Sequence, residues 1–333
     1  MTAMKWMASR ANVRVTFLPQ PPSAMALGAG GDAARAEGVG AAVARGLKSL
    51  GINWNFAPVL DVNNNPANPV IGERSFSSDP AEVARLAAAW MRGSLREGVA
   101  CCVKHFPGHG DTHVDSHHAL PTVDKSRAEL DALELAPFKA LAAHAPAVMT
   151  AHIVYPQIDP ERPATLSPEL IGGILRRDWG YDGVVITDAL MMKAVAERFG
   201  YAKSAVMAIE AGADMVLAQG SPEEQLVAIH ALREAFASGR LTPAQGETAN
   251  RRLDALAAAY PARAVDDSAQ RAADHFRRMS PARSEARLAS PIASNASVIV
   301  TITGRSCGAI RCARSASCSP ASARPRPTAS CEA

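Results

Sequence analysis

Between residues 33 and 260 the chain alternates short apolar runs with amphipathic stretches of helical period, the pattern of parallel βα units. The runs that read as strands are 52–59, 100–103, 147–151, 183–187 and 215–218. Helix starts are marked by Asp79-Pro80 with Glu82, Ser126 with Glu129, Ser167-Pro168, Ser221-Pro222 with Glu224, and Thr242-Pro243 with Gln245. Each sets a side-chain oxygen over free N–H groups of a first turn, and proline at the first helical position loses no donor. The C-terminal ends of the strands carry polar residues in succession: Asp61, Lys104 with His105, His152, Asp188 and Gln219. That end of a parallel sheet is where α/β folds place their chemistry. An eight-stranded barrel and an open doubly wound sheet both fit the pattern, and five clear strands fall short of eight.

Past Tyr260 the periodicity fades, and from Ser280 Ser, Ala, Arg and Pro dominate apart from one apolar run, "SVIVTI". Such a tail cannot bury enough surface to offset its ordering entropy, so disorder is expected over 261–333. With 333 residues, 48% of them apolar, the remainder has ample material for a core.

The formal net charge of +3 is small, and arginines of the tail supply much of it, so no nucleic-acid footprint is read. Cys101 and Cys102 lie in an apolar run, and Cys307, Cys312, Cys318 and Cys331 lie in the tail, without a CxxC pair. No disulfide scaffold is expected, and a reducing cytoplasm is the default compartment. No apolar run reaches membrane-spanning length, and no secretory signal is read; no membrane partner is expected.

The segment "KHFPGHGDTHVDSHHALP" places His105, His109, His113 and His117 at intervals of four, followed by His118. That spacing would let a helix share one metal between two imidazoles, but Pro107, Gly108 and Gly110 break the helix. The segment reads instead as a strand end followed by a long, flexible polar loop able to close over a substrate. Within it Asp115 stands two residues from His117, close enough to hold the ring's tautomer and support its protonated form. Asp188, delivered by the apolar strand in "GYDGVVITDALMM", could serve as nucleophile, metal ligand or ion-pair partner. His109 and His113 are expected to shape the loop, His152 to line the pocket floor, and Asp61 to anchor backbone.

Taken together, "INWNFAPVLDV", "GERSFSSDP", "KHFPGHGDT…DSH" and "GYDGVVITDALMM" resemble the family 3 glycoside hydrolases, in particular the single-domain bacterial β-N-acetylhexosaminidases of peptidoglycan recycling. The resemblance runs from about Phe17 to Tyr260 and implies a TIM-type (β/α)8 barrel over 17–260. It implies a retaining exo-acting enzyme that removes terminal β-linked N-acetylglucosamine from muropeptides, with no cofactor and no metal. Asp188 matches the nucleophile, His117 the general acid/base, and Asp115 the partner that orients it. Arg74, Lys104 and His105 match positions that donate hydrogen bonds to the sugar's hydroxyls and N-acetyl group. A monomer is expected.

The chain departs from the family at both ends. A "DQEGGRVQR"-like segment expected after a third strand has no counterpart, and residues 1–16 stand in its place as a divergent segment. The expected product is a barrel lacking its first three strands, with exposed strand edges. Two competing readings follow: a truncated remnant that binds sugar weakly or misfolds, and a metal-dependent barrel hydrolase built on the histidines and Asp188.

Overall fold

The computed structural model describes residues 21–116, 119–262, 298–302 and 310–314. The N-terminal segment 1–16, His117, His118 and most of the tail lie outside the described residues. The chain enters through helices α1 (Ala24–Gly30) and α2 (Ala33–Ser49), capped by Ser23 and Asp32, and reaches the short strand β1 (Trp54–Asn55). Helix α3 (Pro80–Arg96) leads into β2 (Ala100–Phe106), and the short helices α4 (Arg127–Ala132) and α5 (Ala136–Leu141) lead into β3 (Ala147–Thr150). A two-stranded antiparallel flap, β4 (Val154–Tyr155) with β5 (Asp159–Pro163), precedes α6 (Glu169–Asp178), a helix of π type. Then come β6 (Val184–Ala189), α7 (Lys193–Phe199), α8 (Tyr201–Ala211), β7 (Met215–Ala218), α9 (Pro222–Ala237) and α10 (Pro243–Ala259).

The marked helix starts are realised as read. Asp79 caps α3, and full capping boxes form at Ser126 with Glu129, Ser221 with Glu224, and Thr242 with Gln245. Ser167 Oγ accepts the Leu170 N–H at 3.3 Å in front of α6. The strand read over 52–59 is shorter in the structure: two residues pair with β2, and Val59 makes one isolated bridge to Lys104.

Among the described residues one sheet runs β1-β2-β3-β6-β7 in parallel, a half-barrel with most of its helices against one face. Its two faces divide the strand residues with a period of two, as pleating demands. Cys101, Val103, Val148, Val185 and Val216 enter the large core under the helices. Their neighbours Cys102, Ala147, Met149, Val184, Ile186, Met215 and Leu217 form a second cluster on the opposite face, joined by Trp54, Phe56, Leu253 and Leu256. The concave side is therefore filled partly by α10, and Arg252 of that helix is tied to Asp214, at the start of β7, at 2.8 Å.

Beyond β7 the sheet continues antiparallel through β8 (Val298–Ile302) and β9 (Ile310–Arg314). These strands fall within 261–333, where disorder is expected from composition. The unpaired edge of β7 gives the apolar run "SVIVTI" backbone donors and acceptors that it could not find alone. No helix among the described residues is long and apolar enough to cross a membrane.

Helices α2 and α3 pack in close backbone contact. A Cβ on Gly40 would lie 2.0 Å from the Trp90 carbonyl oxygen, and one on Gly93 would lie 2.0 Å from that of Glu37. Two glycines facing the opposite backbone thus set the interhelical distance. Gly40→Ala and Gly93→Ala are each expected to destabilise the protein by about 1–3 kcal/mol or more, because the rigid backbone opposite must move. Urea unfolding monitored by circular dichroism checks this; wild-type midpoints in both variants would contradict it.

Candidate active site

His105, near the end of β2, and His109 of the following loop bond to one carboxylate, Asp61. It is fully buried; Oδ1 accepts the backbone N–H groups of His105 at 3.1 Å and His109 at 2.7 Å, and Oδ2 lies 2.7 Å from His105 Nδ1. Burial by itself raises the carboxyl's pKa, but the His105 contacts outweigh it and the group is held below its ordinary value. Three donors thus stabilise one buried anion.

The His105 ring has a defined tautomer. Arg74 Nη2 lies 3.2 Å from His105 Nε2, and a guanidinium can only donate. Nε2 is therefore the acceptor and Nδ1 carries the proton given to Asp61. Burial lowers His105 to about 4, so the ring is neutral at pH 7. Both nitrogens are committed, and the sugar-donor role that the resemblance implies for His105 does not match this geometry: the ring orients Arg74 instead. Arg74 closes the 3-10 turn Gly72–Arg74, whose next residue, Ser75, donates its hydroxyl to the Asp61 carbonyl at 2.6 Å.

Lys104 and Asp188 face the same region from β2 and β6. Asp188 reaches solvent with part of its surface, while its carboxyl lies deep among neighbouring groups; Oδ1 accepts the Ala189 N–H at 2.7 Å. Burial raises this carboxyl, but His105, His152, Lys104 and the Ala189 donor bring it down to about 2. The His105 charge acts only in acid, because burial keeps that ring neutral above about pH 4. At neutral pH the cation beside Asp188 is Lys104, whose own pKa burial, with help from Arg74, pulls down to about 8.

The first half of the histidine-rich loop is packed rather than free. A Cβ on Gly110 would lie 1.6 Å from the Val62 carbonyl oxygen, so this glycine serves close approach and not flexibility. Asn68 Nδ2 donates to the His109 and Gly110 carbonyls at 2.8 and 3.0 Å, while its Oδ1 accepts Ile71 N–H at 2.7 Å near Arg74. The two ring nitrogens of His109 lie 2.9 Å from Thr112 Oγ1 and 3.0 Å from Ser116 Oγ. His113 Nδ1 lies 3.2 Å from Asn65 Nδ2. His109 is thus a loop anchor, fixing the residue between Asp115 and His117. Asp115 is half-buried, and its carbonyl accepts Ala119 N–H at 3.1 Å; His117 lies outside the described residues.

The structure therefore brings Arg74, Lys104, His105 and Asp188 to one end of the sheet and sets Asp115 on the loop beside it. Asp61 and His109 hold this arrangement, and their weight was not evident from sequence. The signal available for Asp61 was its position at the end of the run read as a strand; none singled out His109 among the four loop histidines. His105 and His109 spend all four ring nitrogens on protein partners, which leaves neither poised to ligate a metal.

The chain is similar to several known proteins. The β-hexosaminidase A of Pseudoalteromonas piscicida is 43% identical over 192 residues, covering 54% of this chain and 32% of that protein. The β-hexosaminidase of Methylococcus capsulatus (Bath) is 39% identical over 228 residues, 68% of each chain. A solved structure of a glycoside hydrolase family 3 β-N-acetylglucosaminidase from Paenibacillus sp. FPU-7 superimposes with a TM-score of 0.72 at 49% identity, over 74% of this chain and 47% of that one. The chain spans between about a third and about half of the length of several curated relatives it matches. Residues 10–256 match the family described as "Glycosyl hydrolase family 3 N terminal domain", and the chain belongs to that family.

Proposed function

We propose that the protein is a retaining exo-β-N-acetylglucosaminidase of TIM-barrel type, removing terminal β-linked N-acetylglucosamine from peptidoglycan fragments. The observation that carries the proposal is the Asp188 carboxylate, ionised across the working pH range beside Lys104 at the C-terminal end of β6. A carboxylate nucleophile must be charged to attack the anomeric carbon. It must also be a good leaving group when the glycosyl-aspartate is hydrolysed, and a low pKa serves both steps. The names of the Methylococcus and Paenibacillus proteins support the substrate class.

In the first step His117 donates its proton to the departing oxygen while Asp188 bonds to the anomeric carbon. In the second, the neutral imidazole takes a proton from water, which attacks the same carbon and releases Asp188. Asp115 orients the ring and stabilises its charged form. Arg74 and Lys104 donate to the sugar, with Arg74 held by His105 and Asp61. The protein acts as a cytoplasmic monomer in this reading. Ser116, the residue before His117, is held by His109.

Asp188→Ala is expected to lower turnover of a chromogenic N-acetylglucosaminide by more than about 1,000-fold, as loss of a nucleophile does elsewhere. A slow fluorinated N-acetylglucosaminyl substrate should leave a covalent adduct on the peptide containing Asp188. Turnover by wild type without that adduct, seen by mass spectrometry, would remove the covalent mechanism. Comparing kcat/KM for a muropeptide with that for chitobiose tests the substrate: a preference for chitobiose would replace the peptidoglycan assignment.

The pH profile gives a separate test. On the basic side, kcat/KM falls first as His117 loses the proton it must donate. Above about pH 8 it should fall more steeply, because Lys104 then loses its charge. Lys104→Arg keeps the cation at every accessible pH, so its slower reaction should retain only the first limb. Below about pH 4 protonation of His105 removes the acceptor for Arg74, and activity should decline again. Identical basic limbs in wild type and Lys104→Arg would take Lys104 out of the required ionised set.

A further inference from the structure

Behind the strand end that carries Asp188 lies a buried chain of hydroxyl and imidazole groups. Thr150 closes β3, Thr165 sits in the 3-10 turn Ala164–Leu166, and His152 lies between them in sequence; none is more than 1% exposed. Thr165 Oγ1 is 2.9 Å from Thr150 Oγ1 and 2.8 Å from His152 Nδ1, and His152 Nε2 is 3.0 Å from the Ala189 carbonyl oxygen.

Hydrogen-bonding chemistry fixes the direction of the bond to Ala189. A carbonyl oxygen only accepts, so Nε2 carries a proton. The Ala151 carbonyl, also 2.9 Å from Thr165 Oγ1, already accepts the Thr165 backbone N–H at 3.1 Å. Thr165 Oγ1 donates to that carbonyl, whose two lone pairs accommodate both bonds.

The Ala189–Leu190 peptide is held from both sides. Its carbonyl accepts His152 Nε2–H and the Met192 N–H at 3.0 Å, and its Leu190 N–H donates to Leu217 O of β7 at 3.2 Å. The same residue, Ala189, gives its own N–H to Asp188 Oδ1. Turning Ala189 would swing that donor away from the carboxylate.

We propose that His152 is a positioning residue for Asp188: by donating Nε2–H to the Ala189 carbonyl, it fixes the backbone turn that aims the carboxylate. The inference rests on Asp188 acting as nucleophile. Attack needs near-contact geometry, and misplacement by about 1 Å costs on the order of 100-fold in rate.

Two near-isosteric variants separate this role from simple packing. A glutamine amide nitrogen can occupy the Nε2 position and donate to Ala189, whereas an asparagine amide reaches only the Nδ1 position. His152→Gln is expected to retain kcat within about tenfold of wild type, and His152→Asn to lose about 100-fold with KM nearly unchanged. Equal losses in the two variants, or a loss confined to KM, would overturn the proposal. Nitrogen-15 NMR of histidine-labelled wild type at pH 7 reads the bond without turnover, the His152 signal being assigned by its loss in His152→Gln. A proton on Nε2 supports the proposal, and an Nδ1–H tautomer, which leaves Nε2 bare, overturns it. Wild type that leaves every N-acetylglucosaminide intact would instead overturn the glycosidase reading and with it the kinetic role of His152, while the NMR measurement still decides whether the bond exists.

Discussion

One buried carboxylate organises the active end of the sheet. Asp61 is removed from solvent, and an ion so placed would be costly were its lone pairs not filled by the His105 N–H, the His105 ring and the His109 N–H. Those three bonds join the end of one strand to the start of the histidine-rich loop. Because the carboxylate takes the Nδ1 proton of His105, the opposite nitrogen is left to accept from Arg74. Orientation therefore passes from a group that never needs to meet substrate to one that can.

The electrostatics around Asp188 follow from the same economy of burial. Few charges are admitted, and each is matched. His105 remains neutral at working pH because burial outweighs the attraction of Asp61, so Lys104 is the cation that faces the Asp188 carboxylate. A permanently charged neighbour would hold the carboxylate down at any pH; a lysine brought to about 8 is strong enough to do so near neutrality and weak enough to be lost in mild base.

The half-barrel supplies the rigidity this needs. Each parallel strand presents one set of side chains to the helices and the next set to the concave side, where Leu253 and Leu256 of α10 meet them. Polar residues appear only where strands end, so the strands act as stiff supports for Lys104, His105 and Asp188. The loop is held to this support by Asn68, Asp61 and His109 as far as Ser116.

Much of this was legible in the chain itself. Alternation of apolar runs with helical periods located β2, β3, β6 and β7, and the Ser/Thr-x-x-Glu/Gln signatures located helix starts, because caps and amphipathic faces are local properties of a few consecutive residues. Ordered motifs located Asp188, Arg74 and Lys104 in the same way. What only the tertiary structure decided was how distant residues share protons and space. The glycines of the loop looked like hinges until Gly110 was found against the Val62 carbonyl, and His105 looked like a sugar donor until Asp61 and Arg74 were found on its two nitrogens. Likewise the apolar run of the tail gained a strand only from the open edge of β7. Pattern in sequence reports what each residue prefers; hydrogen-bond saturation and backbone contact depend on partners tens of residues away, and only folding specifies which those are.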